Sequence, residues 1–194
     1  MLRNALNVSI RFTLLTAVLL GLIYPLVITG FAHLALRDKA DGQLIVRDAK
    51  VIGSRILGQS FASDKYFHSR PSAAGNGYDP TASGGSNLAE SSQKLVTRIQ
   101  GDVATAEKEN PSQPVPIDLV TTSGSGLDPD LSPEAAYFQV HRVAAARKLS
   151  EDDVRRLVAS HVQKRQWGFM GEPRVNVLEL NLALDEMTSS ATEP

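Results

Sequence analysis

The sequence predicts an α+β fold: a single N-terminal transmembrane helix followed by one soluble α+β domain. Three observations lead to this prediction. A long segment near the N-terminus lacks charged side chains, short β-type segments follow it, and the second half of the chain has the apolar spacing of helices. The boundaries we expect are 1–11 for a short N-terminal segment, 12–36 for the transmembrane helix and 37–194 for the domain.

The apolar segment runs from Phe12 to Leu36, FTLLTAVLLGLIYPLVITGFAHLAL, without Asp, Glu, Lys or Arg. A helix of this length measures about 37 Å and can cross a hydrocarbon core of roughly 30 Å with some tilt. A signal peptide has a shorter apolar region and an A-x-A-like cleavage site, which is missing here, so we expect a retained anchor in the lipid bilayer. Pro25 lies within the span and is expected to kink it. Basic residues are nearly balanced on the two sides, which leaves the side of the domain open.

Composition excludes several function classes. The formal net charge is -1 and no polybasic run is present, so nucleic acid is not an expected partner. The chain has no cysteine, which excludes disulfides and thiolate metal sites. The four histidines have no metal-ligand spacing, and we predict no firm metal site; they are His33, His68, His141 and His161.

The first half of the domain is predicted to contain β segments, an ordered loop and a helix. Residues 43–61 suggest three short β segments, LIV, VIG and RIL, the first two separated by an RDAK turn. Residues 63–92 are rich in Gly, Ser, Asn and Pro, and form a loop that is either functional or packed. Apolar residues at every fourth position predict a helix over 91–109.

The second half is predicted to be mainly helical. Residues 114–130 are expected to be extended and to end in a turn, and Ser132 and Pro133 begin a helix that runs to about residue 149. A further helix starts at Ser150. Residues 176–187 fit two structures, because the leucines alternate as in a strand while Asn176 and the residue types favour a helix.

The segment SGGSNL is the first candidate binding site. Its small residues, Ser83, Gly84, Gly85, Ser86 and Asn87, could turn backbone N–H groups toward a phosphate, and a following helix would add its positive end. No Lys or Arg lies between Arg70 and Lys94 to neutralise a phosphate. An ATP cradle and an ordered turn before the helix both remain open.

Two carboxylates, Asp128 and Asp130, form the second candidate site. They could attract a cation such as potassium, although the segment lacks the further oxygen ligands of a calcium loop. The alternative is that they bond to their own turn and cap the next helix.

Two other segments are weaker candidates. GSRILGQS, residues 53–60, matches a Walker A loop except that Gln59 replaces the lysine, so we interpret it as a strand between two turn glycines. The segment YFHSRP, residues 66–71, would serve as interface anchors if it is exposed, and as core with one satisfied arginine if it is buried. Asp64, His68 and Ser69 are too close in sequence to suggest a hydrolase triad.

Taken together, these blocks resemble the C-subunit family, KdpC, of the bacterial high-affinity Kdp potassium-transporting P-type ATPases. The resemblance covers nearly all of the chain from the span to about Asp185. It rests on YPL, GSRILGQSF, YFHSRPSA, SGGSNL, DLVTTSGSGLDPDLSPEAAYFQVHRVAAARKL and GEPRVNVLELNLALD. The departures are small: Asp41-Gly42-Gln43, Ser69, and His141 where the family commonly has Pro, so the helix of residues 133–148 should run straighter.

The resemblance implies an accessory subunit of the bacterial inner membrane with a cytoplasmic N-terminus and an extracytoplasmic domain. The implied partners are a channel-like A subunit, an ATP-hydrolysing B subunit and a small F peptide. The complex would carry potassium, and this chain would hold no tightly bound cofactor. The family is described as a catalytic chaperone that raises the ATP affinity of the B subunit, and this description implies ATP as a ligand. A free-standing membrane-anchored binding module remains the alternative.

Overall fold

The computed structural model describes residues 1–190, and the chain divides between Ile52 and Gly53 into two units. The predicted α+β class is confirmed. Helices predominate in the described residues, and two small two-stranded sheets accompany them. The last four residues of the predicted domain lie outside the described part.

The first unit begins with an apolar helix from Leu2 to Ala35, long and apolar enough to cross a membrane. It starts well before Phe12, where we expected the span to begin. Its parts are α1 (Leu2–Val18), a π-helical turn (Leu19–Ile23) and α2 (Tyr24–Ala35), and the short helix α3 (Arg37–Ala40) follows it.

The π-helical turn directly precedes Pro25, the second residue of α2. In an α-helix the proline ring would clash with the carbonyl of Gly21 and could not donate a hydrogen bond to it. Wider bonding relieves this conflict, and the amide of Tyr24 donates to the carbonyl of Leu19. The backbone change expected at Pro25 therefore takes the form of this turn, while a bend of the helix axis stays a prediction.

A β-hairpin follows α3 along the chain and consists of β1 (Leu44–Arg47) and β2 (Lys50–Ser54). Asp48 and Ala49 between them have φ of 51° and 59°, the left-handed geometry of a tight hairpin turn. The third β segment, RIL, was predicted wrongly. These residues form a turn because the amide of Ile56 donates to Ser54 Oγ at 3.3 Å.

The helix of residues 91–109 is confirmed as α4 (Gln93–Glu109). Its apolar stripe is only half-buried, and Ala106 alone among its residues is buried. The following segment was predicted to be extended, but it contains a 3₁₀ turn at Ile117–Leu119 before the strand β3 (Asp130–Leu131).

The helix predicted over 132–149 is present as two helices, α5 (Pro133–Phe138) and α6 (Val140–Arg147). Ser132 caps α5 as expected, its Oγ accepting from the amide of Ala135 at 3.2 Å. The prediction of one continuous helix was wrong, while the straightening expected from His141 stays a prediction. The amide of Gln139 bonds to the carbonyl of Ala136, three residues back, and this tighter turn separates the helices although His141 supplies its N–H.

The last helices surround the core. In α7 (Glu151–His161), Ser150 Oγ caps the N-terminus by accepting from the amide of Asp153 at 3.1 Å. Of the two structures that fit residues 176–187, the helix is observed, as α8 (Val177–Ser190). It directly follows β4 (Val175–Asn176), which pairs antiparallel with β3. Asn176 Oδ1 accepts from the amide of Glu179 at 3.1 Å, as a helix cap does.

One apolar cluster forms the core of the second unit. The central side chains come from the loop before α4, from β3 and β4, and from α5 to α8. They are Phe67, Leu131, Ala135, Ala136, Val140, Val143, Ala144, Val154, Val158, Val175, Val177, Leu180 and Leu184.

Candidate functional site

The segment of residues 64–68 lies in the long loop and is held by side chains rather than by a neighbouring strand. The Asn181 amide accepts from the N–H of Phe67 at 2.8 Å and donates to its carbonyl at 2.9 Å. Gln139 makes the same pair of bonds to the backbone of His68, at 2.8 and 3.1 Å. Both amide side chains are buried, so the bonds are shielded from water.

Two arginines complete this arrangement. Arg142 donates through Nη1 to the carbonyls of Asp64 and Tyr66, at 2.7 and 2.9 Å. Arg147 Nε donates to the carbonyl of Lys65 at 2.6 Å, and its guanidinium lies 4.7 Å from the centre of the Tyr66 ring. We call Gln139, Arg142, Arg147 and Asn181 the backbone clamp, because together they donate to every carbonyl from Asp64 to His68.

The backbone clamp decides between the two interpretations of YFHSRP. Phe67 is fully buried in the core, and Arg70 Nη1 donates to Asp128 Oδ2 at 2.9 Å. The segment is therefore core with a paired arginine, not a set of exposed anchors, although Arg70 Nε is buried without a partner among the described residues.

The Gly-Ser loop, residues 83–87, is bonded to the Asp loop, residues 123–130. The amide of Gly84 and the hydroxyl of Ser83 both donate to the carbonyl of Ser125, at 2.8 and 3.0 Å. Gly126 has φ +68°, and a Cβ there would lie 2.6 Å from the carbonyl oxygen of Gly84. The loops therefore approach closely because this residue is glycine.

Two further side chains support these loops. Ser72 Oγ donates to the carbonyl of Gly126 at 2.6 Å and accepts from the amide of Tyr78 at 2.8 Å. The Tyr78 hydroxyl donates to the carbonyl of Arg70 at 2.5 Å. Burial raises the pKa of Tyr78, so the phenol keeps its proton and remains a donor at neutral pH.

This geometry limits what the Gly-Ser loop can offer a phosphate. The Gly84 amide is already engaged by Ser125, and Arg70, the preceding cation, is paired with Asp128. The helix α4 starts only at Gln93, so its positive end does not directly follow the loop. The ATP cradle of Ser83, Gly84, Gly85, Ser86 and Asn87 stays a prediction.

Asp128 and Asp130 each face an arginine. Asp128 pairs with Arg70, and Asp130 Oδ2 lies 2.9 Å from Nε of Arg174. Asp128 Oδ1 also accepts from the amide of Asp130 at 3.1 Å, which is the bond within the turn that the alternative interpretation expected. Burial raises the pKa of Asp130, although the Arg174 guanidinium opposes this shift. Potassium attraction stays a prediction, and the two ion pairs weigh against it.

A cleft of about 220 Å³ lies beside His68. Burial and the Arg142 guanidinium lower the pKa of His68, so its ring is neutral at pH 7. The acids that line the cleft are paired: Asp102 with Arg98 and Glu109 with Arg142, both at 2.7 Å. Within residues 1–190 no cluster of three or more His, Asp or Glu side chains could hold a metal ion.

The glycines of GSRILGQS serve packing. The amide of Gly58 donates to the carbonyl of Leu127 at 2.8 Å, and a Cβ on Gly58 would lie 2.6 Å from the carbonyl oxygen of Asp128. Gly53 lies within β2, and its Cβ would lie 2.8 Å from Cδ2 of Leu178. The segment joins a strand to a turn that contacts the Asp loop.

The residues of the backbone clamp are not among the candidates predicted from the sequence. One pattern hinted at it: Asn181 lies between buried leucines on the apolar face of α8, and Gln139 between buried Phe138 and Val140. An amide in such a place needs partners, because an unpaired buried polar group is costly.

Comparison with known proteins identifies a family for this chain. The family model described as KdpC, K+-transporting ATPase, c chain, matches residues 6–186. The potassium-transporting ATPase KdpC subunit of Koribacter versatilis is 55% identical over 184 residues, 95% of each chain. Those of Methylobacterium nodulans and Acidobacterium capsulatum are 53% and 52% identical, covering 96% and 95% of this chain and 96% and 99% of theirs. The chain therefore belongs to the KdpC family, the C chain of the potassium-transporting ATPases.

Proposed function

We propose that this chain is a non-catalytic subunit that stabilises the assembled potassium pump from the extracytoplasmic side. The proposal rests on one observation: this member of the KdpC family has, within residues 1–190, one helix able to span a membrane, and a domain ordered by buried polar bonds follows it in the chain. A potassium filter needs convergent carbonyls from several spans, which one helix cannot supply. The chain also lacks the D-K-T-G-T phosphorylation motif, since Asp38-Lys39 is followed by Ala-Asp and Asp64-Lys65 by Tyr-Phe.

The proposed topology places residues 1–11 in the cytoplasm, the span at 12–36 in the bacterial inner membrane and the domain of 37–194 outside. The family resemblance supports this orientation, because the charge count does not choose a side. The proposed partners are the channel-like A subunit, the ATP-hydrolysing B subunit and the small F peptide, with catalysis in the B subunit.

The proposed topology bears on ATP. An extracytoplasmic domain meets no cytoplasmic nucleotide, so a chaperone effect on ATP affinity would have to act indirectly, by stabilising a conformation of the B subunit. The paired state of Arg70 and Gly84 also argues against a phosphate site in the Gly-Ser loop. We therefore favour assembly and stability as the main role.

The proposal is tested by purifying the pump from cells with and without this chain. We expect the full chain to co-purify with multi-span partners, and potassium-stimulated ATPase activity to fall when it is missing. Purification of the chain alone, with the activity of the remaining subunits unchanged, would instead favour a free-standing membrane-anchored binding module.

The ATP hypothesis has its own test. The thermal unfolding of the full chain in detergent is measured with and without millimolar ATP. Direct binding at the Gly-Ser loop would raise the unfolding temperature, and Ser83→Ala with Ser86→Ala would abolish the rise. We expect no rise in either protein.

A further inference from the structure

A β-hairpin with an apolar tip projects from the second unit between α7 and β4. We call residues 163–174 the Trp hairpin. Gln163 pairs with Arg174 at its base and Gln166 with Met170 near its tip, and residues 163–173 are all exposed. A hairpin of this length extends roughly 15 Å at the usual rise per residue.

The tip carries three large apolar side chains that are exposed. Trp167 is 82% exposed, Phe169 71% and Met170 45%. Trp167 and Phe169 lie side by side, with ring centroids 6.4 Å apart. Trp167 also has φ +51°, a left-handed conformation that glycine or asparagine would adopt at lower cost. Neither burial nor backbone geometry therefore explains a tryptophan at this position.

The stem of the Trp hairpin is basic. It contains Lys164, Arg165 and Arg174 and one acid, Glu172. Arg165 pairs with Glu172 at 2.5 Å, and Arg174 pairs with Asp130 outside the hairpin at 2.9 Å. Tryptophan at an apolar tip with lysine and arginine behind it is the composition of segments that lie at a membrane–water interface, where the cations meet anionic headgroups.

We propose that the Trp hairpin inserts its tip into the interface of the bilayer that holds the N-terminal helix. The proposal rests on the membrane anchoring given under Proposed function. Tethering supports the proposal, because an anchored domain meets the bilayer at high effective concentration. Three side chains are then enough for the tip to bind the bilayer. A protein interface usually buries about 800 Å² on each partner, which is more than such a convex tip supplies alone.

The chain contains one tryptophan, so its fluorescence reports on Trp167 directly. The full chain is reconstituted without partners in nanodiscs that contain phosphatidylglycerol, and in matched discs whose acyl chains are brominated. We expect a blue-shifted emission, loss of about half of its intensity with brominated lipid, and poor quenching by acrylamide, as for an interfacial indole. Replacing phosphatidylglycerol by phosphatidylcholine should reduce the loss.

Variants distinguish the contribution of the Trp hairpin to lipid quenching from the effect of removing any exposed apolar side chain. Phe169→Ser with Met170→Ser, and separately Lys164→Glu, should weaken lipid quenching by roughly twofold or more, since they remove apolar contact or charge attraction. Ile117→Ser is the matched control, because Ile117 is 70% exposed elsewhere in the unit. It should leave quenching unchanged.

Three results would overturn the inference: emission from water-exposed Trp167 in every disc, equal effects of the tip and control variants, or a blue shift that appears only when multi-span partners are added. The last would assign the tip to a protein pocket. Failure of the chain to enter nanodiscs at all would contradict the anchoring under Proposed function, and is recognised before any fluorescence is measured.

Discussion

Asn181 bonds the long loop to α8 through its buried side-chain amide. It satisfies both backbone groups of Phe67 across 114 positions of sequence. Asn181→Leu keeps the approximate size but leaves a buried N–H and a buried carbonyl unpaired. We expect the free energy of unfolding to fall by about 2–4 kcal/mol in urea titrations of the full chain in detergent.

The control for this variant is Gln100→Leu on the exposed side of α4. It replaces an exposed amide, so the free energy of unfolding should change by no more than about 0.5 kcal/mol. Equal losses in the two variants would mean that the backbone clamp does not stabilise the unit.

The lowered pKa of His68 predicts the sign of a pH dependence of stability. Its pKa is lowered from 6.5 by burial and by Arg142, while Glu109 and Asp64 oppose the shift. Between pH 7 and the lowered pKa, the unfolded chain therefore binds more protons than the folded one, and stability falls as the pH falls. We expect His68→Gln, which cannot titrate, to flatten the decrease between about pH 7 and 5. If stability falls with pH equally steeply in the two proteins, the lowered pKa of His68 is contradicted.

Among the elements, the contact between the Gly-Ser loop and the Asp loop depends on one glycine. Gly126→Ala places a Cβ against the Gly84 carbonyl at a positive φ, so we expect a loss of about 2–4 kcal/mol by thermal or urea unfolding. Gly124→Ala two residues earlier meets no atom within 4 Å and should change stability by less than about 0.5 kcal/mol. If both variants are equally stable, the close approach is not needed.

Sequence predicted best those elements that are decided locally. Ser132, Ser150 and the stripe of α4 gave helix starts and faces, because caps and periodicity act over a few residues. The predictions of a strand at RIL and of one helix through Gln139 were wrong. A serine hydroxyl competes with β propensity at the first place, and a tighter turn competes with helix periodicity at the second.

The candidate sites were harder to predict than the elements. The sequence located the Gly-Ser loop and the aspartates but not their partners, because Ser125, Arg70 and Arg174 come close only after folding. The backbone clamp was missed for the same reason. Side chains more than 70 positions away in sequence supply its bonds to the loop.

In the whole molecule, function depends on where the second unit lies. A membrane-anchored member of the KdpC family can stabilise the pump from outside only if its domain is extracytoplasmic. A cytoplasmic domain would allow direct contact with ATP.

Cysteine labelling tests the extracytoplasmic location of the domain most directly, because the chain has no cysteine of its own. Gln100→Cys reports on the domain and Asn4→Cys on the N-terminus, both with a membrane-impermeant maleimide on intact spheroplasts. We predict labelling of Gln100→Cys from outside, and of Asn4→Cys only after the membrane is opened. Labelling of Gln100→Cys only after opening would contradict the extracytoplasmic role.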